Sequence, residues 1–304
     1  MKYDPLLATL VAVLGCGAPQ PGAEPPGGPA RGAVDADGVV MLFASANEPG
    51  FQLGARDPNT LAGLEIEKHG IATELREGSL HFWRIDAYAL EYSSGGSGKT
   101  SRIHLRQPGG SQTFNWQTQH GFLSGPQDFR NQEFTAYLRV HGIFDLKRAA
   151  VSLKIRGGRH TQDDPDLASC TMMTFAPVGA PAVTRFGKEL RHPDYDYVKL
   201  DPRFDAALAE DAWFGLKLVS YQDPQSKARV INQLYVDARP FDAAGRPRND
   251  FRLLSVFVDV EGVSTGHYSK LVDWGGFQNT VRTDGIVQLD FAIVGVREIV
   301  ASAN

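Results

Sequence analysis

The chain has 304 residues, of which 42% are hydrophobic and 22% charged, the balance of a folded globular protein rather than a disordered one. Its 31 Lys and Arg against 35 Asp and Glu give a formal charge of −4, which argues against a nucleic-acid binder. Two cysteines exclude a disulfide scaffold and a four-thiolate zinc site, while 32 Gly and 18 Pro favour turns and short strands over long helices.

The N-terminus reads as an address. Leu6 to Leu14 is an apolar run of nine residues, broken only by Thr9 and preceded by Lys2. It is too short to span a bilayer, which takes about 20 residues, and fits the apolar core of a secretory signal. The run ends in Val13-Leu14-Gly15-Cys16, which resembles the bacterial lipobox. That resemblance implies cleavage before Cys16, lipidation of its thiol and a location in the cell envelope, as an outer-membrane lipoprotein or a secreted protein. Residues 17–38 hold six Gly and five Pro and no large apolar side chain except Val34. Such a segment cannot build a core and is expected to be a tether. The expected organisation is a signal peptide over 1–15, a tether over 16–38 and a single β-sandwich domain over 39–304.

From Val39 onward the chain alternates short β-rich runs with turn chemistry. The predicted strands cover residues 39–45, 79–92, 101–106, 133–144, 150–156, 169–176, 213–222, 229–238, 251–260 and 286–300. In the run from Phe134 to His141 the even positions are apolar, and Thr135, Arg139 and His141 face the other way. In the next run Val151, Leu153 and Ile155 alternate with Ser152, Lys154 and Arg156. A period of two with one polar face means antiparallel sheets covering one core. The one predicted helix is short, around residues 204–211. Many strands without a fixed repeat predict an all-β jelly-roll sandwich of two antiparallel sheets.

Three strands carry a family resemblance. Trp213 to Tyr221 opens in Trp, Val230 to Asp237 closes in Val-Asp, and Val287 to Ile299 ends in Arg-Glu-Ile. Together they look like the concanavalin A-like, or laminin-G-like, jelly-roll superfamily, over roughly residues 80–300. Gly125 to Tyr137, Arg156 to Thr161, Arg185 to Glu189 and Trp274-Gly-Gly276 followed by Arg282-Thr-Asp284 resemble secreted proteins of that same fold with no assigned activity. The superfamily resemblance implies a protein that binds sugars, hydrolyses glycans or eliminates across uronate linkages. The alginate-lyase strand patterns and the Glu-x-Asp-x-x-Glu hydrolase pattern of this superfamily are both unmatched.

Two polar clusters are candidates for chemistry. Arg156, Arg159 and His160 leave a strand through two glycines, and two guanidinium forks suit a substrate carboxylate. Further on, Lys188, Arg191, His192, Tyr195 and Tyr197 hold the groups β-elimination requires. Arg191 or Lys188 would neutralise the uronate carboxylate, His192 would take the C5 proton, and Tyr195 or Tyr197 would protonate the leaving oxygen. Trp116 and Trp274 lie in polar or glycine-rich segments and are candidates for stacking on sugar rings. Asp163, Asp164, Asp166, Asp194 and Asp196 offer oxygen ligands for calcium, although no EF-hand pattern is present. No other cofactor is expected. Cys170 reads as a small buried hydrophobe. The expected function is a surface lipoprotein, held to the membrane through Cys16, whose jelly roll binds polysaccharide, anionic by the nature of the Arg clusters. The alternatives are a polysaccharide lyase acting on uronate-containing glycan and a structural envelope protein without a sugar site.

Overall fold

The computed structural model describes residues 33–46, 50–66, 71–86, 100–107, 128–159, 165–178 and 181–301. The signal peptide, Cys16 and the tether up to residue 32 lie outside the described residues, as do Trp116, His160, Asp163 and Asp164.

Two antiparallel sheets pack face to face. The first runs β13 (Arg252–Val260), β12 (Arg229–Asp237), β11 (Trp213–Gln222), β6 (Gln132–Ile143), β15 (Ile286–Glu298), β4 (Leu80–Asp86) and β3 (Thr73–Glu77). A two-residue strand, β1 (Phe51–Gln52), pairs with a further stretch of β15. The second runs β10 (Asp194–Leu200), β9 (Val183–Arg191), β8 (Cys170–Ala176), β7 (Ala150–Gly157), β14 (Gln278–Asp284), β5 (Thr100–Arg106) and β2 (Leu64–Ile66). This is the jelly-roll sandwich that the strand pattern predicts.

Alternation places the core. Phe134, Ala136, Leu138 and Val140 of β6 face Val151, Leu153 and Ile155 of β7, all within one buried cluster. Each large apolar side chain taken out of water in this way contributes roughly 1.5–3 kcal/mol. The intervening positions of the same strands therefore populate the two outer faces, and these carry most of the charged side chains considered below.

Two expectations fail locally. Residues 39–45 form no strand and make only single bridges, Val40 to Val34 and Ser45 to Ile299. Residues 204–211 form no helix, and the only helical turn assigned as an element among the described residues is Pro165–Ala168. Phe204, Ala206 and Leu208 all pack against the core, a spacing of two that only an extended chain can satisfy. An eight-residue helix is marginal on its own, so tertiary packing decides the outcome.

Candidate functional site

The register of the second sheet lays its outward side chains in rows across the strands. One row holds His104, Thr280, Lys154, Met172, Gly187 and Tyr197, from β5 through to β10. The next holds Arg102, Arg282, Ser152, Thr174, Arg185 and Lys199. A third begins with Arg106 and Gln278 and continues through the Cys170 and Glu189 pair. Neighbouring strands lie about 4.8 Å apart, so each row is a ladder of groups at that spacing. Arg102, Arg106, Lys154, Arg185, Lys199 and Arg282 share this face with the acids Glu65, Glu189 and Asp284, a local excess of positive charge on a chain that is acidic overall.

Lys154 is the hub of the face. Its Nζ donates to Glu189 Oε2 at 2.7 Å and lies 5.3 Å from the centre of the Tyr195 ring. Burial opposes the ammonium charge, but Cys170, Glu189 and Tyr195 around it more than offset that and hold it above the ordinary lysine value. The other Glu189 oxygen accepts from His192 Nδ1 at 2.9 Å. Arg282 Nη1 donates to the Tyr195 hydroxyl at 3.2 Å, while its Nη2 donates to Asp284 at 2.7 Å. Burial raises the Tyr195 phenol above its ordinary value despite the two cations beside it, so it stays protonated. Tyr197 stacks on Tyr195, with centroids 5.8 Å apart and planes within 7°, and is 47% exposed. Gly187 makes room for this arrangement, because a Cβ there would lie 2.9 Å from the Tyr197 ring. His104 Nδ1 lies 2.9 Å from Thr280 Oγ1 and 3.1 Å from Gln278 Nε2, so the ring is held by both neighbours.

The structure sorts the sequence candidates. Tyr195, Tyr197 and His192 come together around Lys154 and Glu189. Arg191 sits at the end of β9, 59% exposed, and pairs with Asp166 at 3.5 Å. Arg159 is exposed just beyond β7. Three candidates are corrected. Lys188 is fully buried on the inner face, where its Nζ bonds Asp259 of the opposite sheet at 2.9 Å and the Lys270 carbonyl at 2.7 Å. Strand alternation explains this, since Lys188 shares a face with Phe186 and Leu190, not with Glu189. Arg156 is also fully buried, donating to Ser220 Oγ at 3.1 Å and the Trp274 carbonyl at 2.7 Å. A bulge is the cause: β7 spends one extra residue between Lys154 and Gly157 against β14, and Arg156 takes φ 57° there. Burial pushes its guanidinium below the ordinary arginine range. Trp274 is buried against Leu190, Val272 and Phe277 and cannot stack on a sugar. The glycines after it are packing positions, because a Cβ at Gly276 would lie 2.1 Å from Gly157 N.

Asp194 and Asp196 are taken up by protein donors and not arranged around a cation site. Tyr268 N donates to Asp196 at 2.7 Å, and His267 bridges both carboxylates. Among the described residues no three His, Cys, Asp or Glu side chains gather as a metal site.

Lys154, Arg282, Glu189, His104 and Gln278 were not singled out as site residues. The signal for them is present in the alternation itself. Arg102-x-His104-x-Arg106 and Gln278-x-Thr280-x-Arg282 are charged or polar every second residue on strands that lie inside the sheet, where a merely solvated face has no need of them.

No protein-family model matches the chain, and no curated protein matches it in sequence. In structure it is similar to an endo-β-1,4-glucuronan lyase from the fungus Trichoderma reesei, at TM-score 0.47 and 13% identity, over 83% of this chain and 97% of that one. It is similar to a galectin-like protein of unknown function from Bacillus subtilis, at 0.43 and 7%, over 86% and 100%. It is also similar to the lumenal domain of VIP36 bound to Ca²⁺ and Man3GlcNAc, at 0.41 and 9%, over 84% and 93%. At these identities the likeness concerns the fold alone.

Proposed function

We propose that the chain binds an anionic polysaccharide laid across the strands on the outer face of the seven-stranded sheet. One observation carries this reading: the cations of that face outnumber its acids and recur from strand to strand. A strand spacing of about 4.8 Å is close to the length of one sugar ring, so successive uronates meet successive strands. The exposed Arg185 offers a bidentate fork to a carboxylate, and the exposed Tyr197 ring offers a plane for a sugar's C–H face. The N-terminal pattern supports export and anchoring through Cys16. A Cys16→Ala variant that still partitions with membranes would remove that part. The binding test is affinity electrophoresis of the mature domain through gels containing alginate, polyglucuronate, polygalacturonate or neutral dextran. Retardation by the acidic polymers alone, fading with salt, is expected. Equal mobility in all four gels at low salt would overturn the reading.

A second reading is favoured by the protonated Tyr195 phenol set between Lys154 and Arg282. In a lyase, a base takes the C5 proton of a uronate, the C4–O bond breaks and the leaving oxygen gains a proton. Tyr195 suits the last role, since a phenol that holds its proton is a donor. Lys154 and Arg282 would carry the negative charge that builds up on the carboxylate. His192, tied through Nδ1 to Glu189, is the base of this scheme. Growth of the conjugated unsaturated uronate absorbance, lost in Tyr195→Phe, tests it. A flat trace on all three acidic polymers would leave the binding reading alone.

A further inference from the structure

A second feature borders the same face and is not needed for the binding just described. At the end of β7, β8 and β9 a cavity of about 240 Å³ opens beside Thr174 and Arg185. Its floor is Ala150, Ala176 and Val183, which continue the outward rows by one step. The two alanines of the floor, followed along their strands by the short Ser152 and Thr174, leave the hollow open. The cations Lys147, Arg148 and Arg185 line it, and among the described residues no Asp or Glu does. Arg148 has Asp145 at 3.5 Å, whereas Lys147 and Arg185 have no carboxylate partner among the described residues. Leu146, also lining the cavity, is 61% exposed, which leaves a large apolar side chain uncovered at the edge of an apolar floor.

The chemistry of this lining is specific. An apolar floor ringed by cations without acids suits a group with a short carbon skeleton and a negative charge. A sugar ring, with hydroxyls on every side, would lay several of them against the apolar floor of Ala150, Ala176 and Val183. The volume lies below the usual range for whole ligands, about 300–1,000 Å³, so the occupant is a substituent and not a chain segment. Arg185 belongs to both the cavity and the Arg102–Lys199 row, which places the substituent on the same polymer. We infer that this cavity receives a small carboxylate-bearing substituent, such as a pyruvate ketal, carried by the acidic polysaccharide. The inference rests on the reading of the outer face as a polysaccharide site and names the class of polymer it selects.

The test uses xanthan bearing its pyruvate ketals, the same polymer with the ketals removed by mild acid, and alginate, each titrated against the mature domain. The ketal-bearing polymer is expected to bind at least tenfold more tightly than its ketal-free form. Ala176→Leu fills the cavity without changing charge. It should abolish that preference and leave binding of the ketal-free polymer and alginate within twofold. Lys147→Ala, an exposed position outside the rows, should cut the preference severalfold with the fold intact, and it stands in if Ala176→Leu does not fold. Equal affinity for the two xanthan forms, with alginate still bound, would overturn the substituent and spare the polysaccharide reading. Failure to bind any of the three polymers would overturn both.

Discussion

The two outer faces of the sandwich are made from the same residue types and use them in opposite ways. On the eight-stranded sheet, charges converge on buried carboxylates. Asp290, fully buried, receives Arg84 Nε at 2.6 Å, Arg139 Nε at 2.9 Å and His141 Nε2 at 2.6 Å. Glu133 receives Lys217, Arg297 at 2.8 Å and the Leu42 amide. On the seven-stranded sheet, cations are spread along rows, and Lys199 and Arg185 stand exposed. The difference teaches that arginine content does not mark a binding face. What sets the seven-stranded face apart is charge left over after pairing: Lys154, Arg282 and Arg106 are matched by Glu189, Asp284 and Glu65, whereas Arg185 and Lys199 have no carboxylate partner among the described residues.

The comparison breaks most visibly at Asp290. Asp290→Ala leaves two guanidinium groups and an imidazole around a buried gap. Removing one partner of a buried ion cluster typically costs about 3–5 kcal/mol, to be read as a shifted urea midpoint. A smaller effect follows from pH. Burial pushes the Asp290 carboxyl up, but hydrogen bonds from Arg84, His141 and Arg139 outweigh it and hold the value below the ordinary one. Its stabilisation is therefore complete above the unfolded value, about 3.9, and is lost as pH falls toward the lower folded value. Asp290→Asn should flatten the acid limb of stability between roughly pH 4 and 2 in urea titrations.

On the other face the expected outcome is reversed. The double variant Arg185→Ala, Lys199→Ala removes two exposed cations and should change stability by less than about 0.5 kcal/mol. Retention on acidic polymer should weaken about tenfold, or some 1.4 kcal/mol, in the same gels. A stability loss as large as that of Asp290→Ala would erase the distinction between the faces. The smallest effect concerns Cys170, whose thiol burial pushes up to about 12. It should resist a thiol reagent at pH 8 in the native domain and react fully in urea.

The sandwich was readable because alternation is a local signal. Val151, Leu153 and Ile155 announce their strand without any knowledge of its partners. The site was half readable for the same reason. Tyr195 and Tyr197 carry a shared face in their spacing, but Glu189 and Lys188 differ by one position, and only pairing tells which one faces outward. Arg156 was unreadable, since the bulge that turns it shows only in the pairing register of β7 with β14. Trp274 was misread because a Trp beside two glycines looks exposed, whereas those glycines allow the chain to press against the backbone of Gly157.

That bulge has a consequence for how such a surface changes over time. An extra residue in β7 acts as a phase shift: every side chain after it swaps sides relative to an unbroken strand. Arg156 has been moved from the outer face of the sheet to a post between the sheets, and Gly157 stands near where its charge would have been. A small hollow of about 10 Å³, lined by Gly157, Cys170, Lys154 and His104, lies there. A one-residue deletion at this point would return a guanidinium to the centre of the face and withdraw one from the interior. A single insertion or deletion in this strand thus trades charge on the outer face against cohesion between the sheets, a change that substitutions could reach only by altering both places together.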